Sequence, residues 1–175
     1  IAFDGAHMWV GNSNSNTVTK LRAADGANVG TFAVGSAPWA VAFDGANIWV
    51  VNRESHNVTK LRASDGANLG TFGGMGLNPS AVAFDGANVW VASIQGVTKL
   101  RASDGAHLGS FTVGTNLQGV AFDGSHIWVA SAGSGDVIKL RASNGAVVGT
   151  SPMGFLAMGL TFDGINVWVT NGSVF

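Results

Sequence analysis

Cysteine and tyrosine are absent from the chain, and charged residues make up only 11% of its 175 residues, against about a quarter in ordinary globular domains. Without cysteine there are no disulfides and no thiolate metal sites, and the redox compartment stays open. No apolar run reaches the roughly eighteen residues of a membrane-spanning helix; the longest, Gly154–Phe162, is about half that. The net charge of −1 removes the basic footprint of a nucleic-acid binder or of a protein held on an anionic membrane. No His-x-x-x-His, Gly-x-Ser-x-Gly, Walker or EF-hand spacing occurs, so no motif points to a catalytic residue, a metal or a cofactor.

What is abundant is repetition. Phe43–Val50, Phe-Asp-Gly followed by Ala-Asn-Ile-Trp-Val, recurs as Phe3–Val10, Phe84–Val91, Phe122–Val129 and Phe162–Val169. The aspartates Asp4, Asp44, Asp85, Asp123 and Asp163 are spaced by 40, 41, 38 and 40 residues. Within the second copy the pattern predicts strands over Ala40–Phe43, Ile48–Asn52, Val58–Arg62 and Asn68–Phe72, with a second Asp-Gly turn at Asp65–Gly66. Asp-Gly between short β-rich runs is a hairpin signal, because glycine tolerates the positive φ such turns demand. Twenty-residue half-repeats also suit a β-solenoid, but tight turns reverse the chain into antiparallel pairs, whereas solenoid coils stack in parallel. Four antiparallel strands per forty residues define an all-β fold, a β-propeller of four-stranded blades.

The repeats fall at about 1–37, 38–77, 78–116, 117–155 and 156–175, four complete blades plus half of a fifth, within one propeller domain or a section of one. Ile1 and Phe175 both lie inside a repeat, so the chain reads as part of a longer protein. The tryptophans Trp9, Trp49, Trp90, Trp128 and Trp168 share one slot of the second strand, matched by Gly30, Gly70, Gly109 and Gly149 in the fourth. Large against small predicts each indole lying over a glycine-bearing strand of the neighbouring blade.

Repeats such as PWAVAFDGANIWVVN and HNVTKLRASDGANLGTF resemble those of the bacterial YVTN/YncE-like and NHL-type propellers. They are also similar to those of the streptogramin B (virginiamycin B) lyase group. The resemblance covers the whole chain but rests on structural residues. It implies a secreted or periplasmic propeller, and it allows a lyase.

The first-to-second and third-to-fourth turns share one face of a blade and are nearly identical here. The opposite face varies from blade to blade, in Asn12–Thr17, Asn52–Asn57, Ser93–Gly96 and Ser131–Asp136 and in the connections Ala33–Pro38, Gly73–Pro79, Thr112–Leu117 and Pro152–Leu156. Binding residues favour loops on a rigid scaffold, which puts a ligand on the varied face. Eight of the ten acids and eight of the nine bases are locked to the repeat, as turn aspartates and as third-strand lysines and arginines on solvated or inter-blade positions. Arg53, Glu54 and Asp136 are the exceptions, and His56 follows closely. His7, His107 and His126 stand where other repeats have turn asparagines, and so read as structural.

Trp39, outside the repeated slot, suits stacking on a sugar or aromatic ligand or plugging a channel mouth. Met75, Met153, Phe155 and Met158 add apolar character to the varied face, and Asn12, Asn52, Ser93, Ser131 and Asn171 suggest a polar ring there. The candidate ligand-binding residues are therefore Trp39, Arg53, Glu54, His56 and Asp136. The function expected is a non-catalytic binding or scaffolding module for a protein or small-molecule partner. Two alternatives stand beside it: a lyase using Glu54, His56 and Asp136, and self-assembly through open blade edges.

Overall fold

The computed structural model describes residues 1–154 and 156–172. Phe155, expected to add apolar character to the varied face, lies outside the described residues. Among the described residues, eighteen strands form antiparallel sheets in sequence order. The first sheet is β1 (Ala2–Phe3), β2 (His7–Asn12), β3 (Thr17–Arg22) and β4 (Asn28–Ala33), and the second is β5 (Pro38–Phe43), β6 (Asn47–Asn52), β7 (Asn57–Arg62) and β8 (Asn68–Phe72). The third holds β9 (Ala81–Phe84), β10 (Asn88–Ser93), β11 (Gly96–Arg101) and β12 (His107–Phe111). The fourth holds β13 (Leu117–Phe122), β14 (His126–Ser131), β15 (Asp136–Arg141) and β16 (Val147–Pro152), and a last pair is β17 (Leu156–Phe162) with β18 (Val167–Gly172). Four complete blades and the inner half of a fifth make this a propeller-type fold. The sheets group into two compact units, one ending at Pro79 and one beginning at Ser80.

The turn chemistry explains the hairpins. Gly45 has φ 98°, open to glycine at little cost. Asp44 Oδ1 accepts the amides of Ala46 (2.9 Å) and Asn47 (2.6 Å), while its Oδ2 accepts Trp49 Nε1 at 2.7 Å. One carboxylate thus closes the turn and anchors the indole of the strand that follows it. The same triple contact recurs at Asp4, Asp85, Asp123 and Asp163.

Burial pushes the carboxyls of Asp4, Asp44, Asp85 and Asp123 upward, but the hydrogen bonds from tryptophan and turn amides outweigh it and hold them below the ordinary aspartate value. At Asp163 the Asn166 amide and the Trp168 indole lower it to about 2. Folded pKa values below the unfolded one contribute stability above roughly pH 4 that is lost as pH falls toward 2. Urea midpoints should therefore be flat between pH 7 and 5 and fall steadily below pH 4. A profile still flat at pH 2 would remove the aspartates from the stability of the turns.

The indoles pack differently from the expectation. Trp9, Trp49 and Trp90 are fully buried, and each faces the phenylalanine of its own fourth strand, Phe32, Phe72 or Phe111, with ring centroids 5.6 Å apart. Gly30, Gly70 and Gly109 leave room for the tips of those same rings, which come within 2.7, 2.9 and 3.2 Å of where a Cβ would stand. The glycine therefore accommodates its own strand's phenylalanine and not a neighbour's tryptophan. The neighbouring blade contributes a different glycine: the ring of Phe32 lies against Gly66, and that of Phe111 against Gly145, both in Asp-Gly or Asn-Gly turns. Lysines complete the join. Lys20 Nζ donates to Ala63 O at 2.7 Å and Lys99 Nζ to Ala142 O at 2.7 Å, each across to the next sheet.

The fourth blade departs from this scheme. Ser151 occupies the slot of Phe32, Phe72 and Phe111, and Trp128 is only partly buried beside a cavity of about 510 Å³ that both residues line with Met153 and Phe162. Ser151→Phe should restore the missing ring and raise stability by about 1 kcal/mol through the aromatic pair, read as a higher urea midpoint. An unchanged or lower midpoint would show that the cavity does not take a benzyl group.

Candidate functional site

Most polar groups of the uniform face are already engaged among the described residues. Arg22–Asp25, Arg62–Asp65 and Arg101–Asp104 form ion pairs of 2.9 Å inside their own turns. His7 lies 3.3 Å from Asp4 and His126 3.5 Å from Asp123, the position from which Asn47 Nδ2 contacts Asp44, and His107 Nε2 lies 2.9 Å from Ser110 Oγ. The cleft of about 620 Å³ on this face is lined by Asp4 and Lys20, whose bonds are spent within the fold.

The second-strand ends on the varied face are mostly bonded within the chain, although the buried Oδ1 of Asn52 has no partner among the described residues. Asn12 donates to Thr17 and Thr19, and Asn52 to Asn57 and Thr59, while Ser93 donates to Gly96 O and Ser131 is tied to Thr115. These residues brace their own loops, which is a different role from an open polar ring. Met75 is fully buried and adds nothing to the surface, whereas Met158 is exposed.

Three of the five candidate residues meet in the first unit. Arg53 places its guanidinium carbon 4.6 Å from the centre of the Trp39 ring, and Trp39 is 54% exposed. Glu54 stands beside them on a cleft of about 770 Å³, also lined by Ser13, Asn14, Asn16, Ala37 and Asn78. The loop is held by its backbone: Arg53 N donates to Ala37 O (2.9 Å), Glu54 N to Ser36 O (3.2 Å) and Ala37 N to Asn16 Oδ1 (2.9 Å). The rim carries unusual backbone, with Asn16 at φ 57°, Ala37 at 52° and Asn78 at 47°. Asn116, at the slot of Ala37 and Asn78 in another repeat, has φ 52°, so this backbone belongs to the repeat's own turns.

His56 is not on the cleft. Its φ is 53°, and its Nδ1 lies 2.9 Å from Arg53 O and 3.2 Å from the amide of Asn78. Nδ1 makes one of these bonds at a time, donating to Arg53 O in one tautomer and accepting the Asn78 amide in the other, so His56 acts on the site through position. Asp136 belongs to the second unit, where it opens β15 opposite Ser131 and Pro152.

Asn14, Asn16 and Asn78 went unmarked in the sequence because asparagine is common in every repeat. Their one signal was membership of loops that differ between blades. Among the described residues no group of three or more His, Cys, Asp or Glu side chains could hold a metal ion, and no helix is long and apolar enough to cross a membrane.

No family model matches the chain, and no curated protein matches it in sequence. Solved structures do match in shape. One chain of the mitotic checkpoint complex superposes with a TM-score of 0.87 at 16% identity over 98% of this chain and 57% of its own. Kuenenia stuttgartiensis hydrazine synthase gives 0.76 at 22% identity over 86% of this chain and 47% of its own, and U3-55K gives 0.75 at 15% over 83% and 48%. At these identities the likeness is one of fold, and the chain spans about half the length of the structures it matches. The class is that of propeller-like β repeat proteins.

Proposed function

We propose that the chain is a non-catalytic binding module of the YVTN/NHL propeller type, one propeller or a section of one, which holds its ligand or protein partner on the face of variable loops. The observation that carries this is a contrast in unused chemistry. Among the described residues the repeat-locked aspartates are bonded in their own turns, while the side chains of Arg53 and Glu54 have no hydrogen-bonding or ionic partner. Tryptophan and arginine together are also the residues most often found as energetic anchors of interfaces. The sequence resemblance supports a secreted or periplasmic setting.

A lyase has less support. It needs a base and acids converging on one point, yet Nδ1 of His56 is engaged by backbone. Self-association has one observation in its favour: every residue of β16 is exposed, leaving an outer edge to pair.

The test is amide chemical-shift mapping of the labelled protein against a mixed library of peptides, oligosaccharides and small fragments. Shifts gathered at Ser13–Asn16, Ala37–Trp39 and Arg53–His56, with ligand recovered intact, would support the binding module. Shifts confined to the Asp-Gly turns, or ligand turned over, would overturn it. Concentration-dependent mass by sedimentation decides self-association.

A further inference from the structure

We infer that the cleft at Trp39 is a saccharide site, taking a neutral pyranose unit of an oligosaccharide. This rests on the binding-module reading and names its ligand class. The lining is unusual for what it lacks: apart from the indole, its largest hydrocarbon side chain is the methyl of Ala37. A protein-interface core is built from apolar and aromatic anchors that interlock with a partner's, and this concavity offers a single aromatic plate.

The rest is hydrogen-bonding capacity left unspent within the chain. Among the described residues the side chains of Ser13, Asn14, Glu54 and Asn78 have no partner, the guanidinium of Arg53 has only the Trp39 ring, and the Trp39 indole N–H is free. Glu54 supplies only acceptors, Arg53 only donors, and the amides and the hydroxyl supply both. One charge of each sign makes the lining neutral overall. An anionic ligand would be drawn to Arg53 and repelled by Glu54, and a cationic one the reverse. A sugar satisfies the set without that conflict: each hydroxyl donates and accepts, a pair of adjacent hydroxyls can bridge a carboxylate or guanidinium, and the C–H face of the ring lies on indole.

Arg53 holds the indole from one side at 4.6 Å, and more than half of the residue's surface stays open. The plate is thus fixed before the ligand arrives, which lowers the ordering cost of binding. Internal comparison points the same way. The slot of Trp39 is Ser80, Gln118 and Met158 in the other repeats, and that of Arg53 is Ser13 and Ala132. The constellation occurs once, as a dedicated site would.

The experiment titrates the full chain with maltohexaose, cellohexaose, chitohexaose and mannohexaose, and with a triglucuronate and an acidic and a basic decapeptide as contrasts. The readouts are Trp indole N–H shifts and calorimetry. At least one neutral hexasaccharide should shift the Trp39 indole, with affinity falling at least about tenfold in Trp39→Ala and in Glu54→Gln. Arg53→Ala keeps the plate but frees it, and should weaken binding less than Trp39→Ala. If the neutral sugars leave Trp39 unmoved while a decapeptide shifts it, the saccharide assignment is overturned and the binding module survives. Should none of these probes shift any varied-face resonance, both fall. Trp39 and Glu54 are exposed, so a thermal melt matching that of the unsubstituted chain confirms that each variant is folded.

Discussion

Trp90→Ala should destabilise the second unit by about 3–5 kcal/mol, the range for truncating a large buried aromatic residue, while Trp168→Ala in the same unit should cost less than about 1 kcal/mol. Both indoles occupy the same repeat slot and donate to the aspartate five residues back, Trp90 to Asp85 at 2.7 Å and Trp168 to Asp163 at 2.6 Å. They differ in what covers them. Trp90 is fully buried against Phe111, with Lys99 over its ring; Trp168 is 60% exposed.

The pair thus separates the hydrogen bond, which they share, from packing, which they do not. Trp90→Phe adds a third point, keeping an aromatic ring and removing the N–H donor to Asp85. It should fall between the two, at about 1–3 kcal/mol, for the carboxylate bond lost. Urea unfolding of each variant at pH 7 reads the differences directly. Equal costs for Trp90→Ala and Trp168→Ala would mean that the turn aspartate, and not inter-strand packing, makes the indole slot matter.

Much of this architecture was legible because each turn is specified locally. Asp-Gly fixes a positive φ and an acceptor at one point, so the strand expected over Asn68–Phe72 coincides with β8, whereas β5 begins ahead of the expected Ala40, where Pro38 pairs with Asn52 beyond a register shift at the entry to the strand. The partner of the indole was not legible. Gly30 and Phe32 are two residues apart on one face of a strand, and sequence cannot say whether the space above a glycine is filled from within the blade or from the next.

Lys20 and Arg22 posed the same difficulty. They alternate identically along β3, yet Lys20 is buried, reaching to Ala63 O, while Arg22 is exposed and folds back on Asp25. Depth in the sheet decides, and period two carries no depth. At the candidate site, Trp39, Arg53 and Glu54 were found as breaks in a repeat. The asparagines beside them were hidden by their abundance, and Asp136 stood out equally as a break, though it lies in the other unit.

Lys99→Met should destabilise the second unit by about 1–3 kcal/mol, and Lys139→Met, at the equivalent place in the next blade, by less than about 0.5 kcal/mol. Lys99 is 8% exposed, with Nζ 2.7 Å from Ala142 O and 4.8 Å from the centre of the Trp90 ring. Burying an ammonium is costly. Against that stand a charge-assisted bond to a carbonyl of the next sheet and the face of an indole. Methionine keeps the length and most of the volume, so the substitution removes the charge and the donor with little change in packing, and it leaves Ala142 O without its lysine. Lys139 keeps the indole contact at 4.7 Å but has no carbonyl partner among the described residues; its nearest anion is Asp123 at 3.9 Å, and its side chain is 30% exposed. The difference between the two variants therefore isolates the blade-to-blade bond. A buried ion can also be a burden that an apolar replacement relieves, so the sign is informative. If Lys99→Met raises the urea midpoint, the lysine does not staple the blades, and the join rests on Phe111 seated against Gly145.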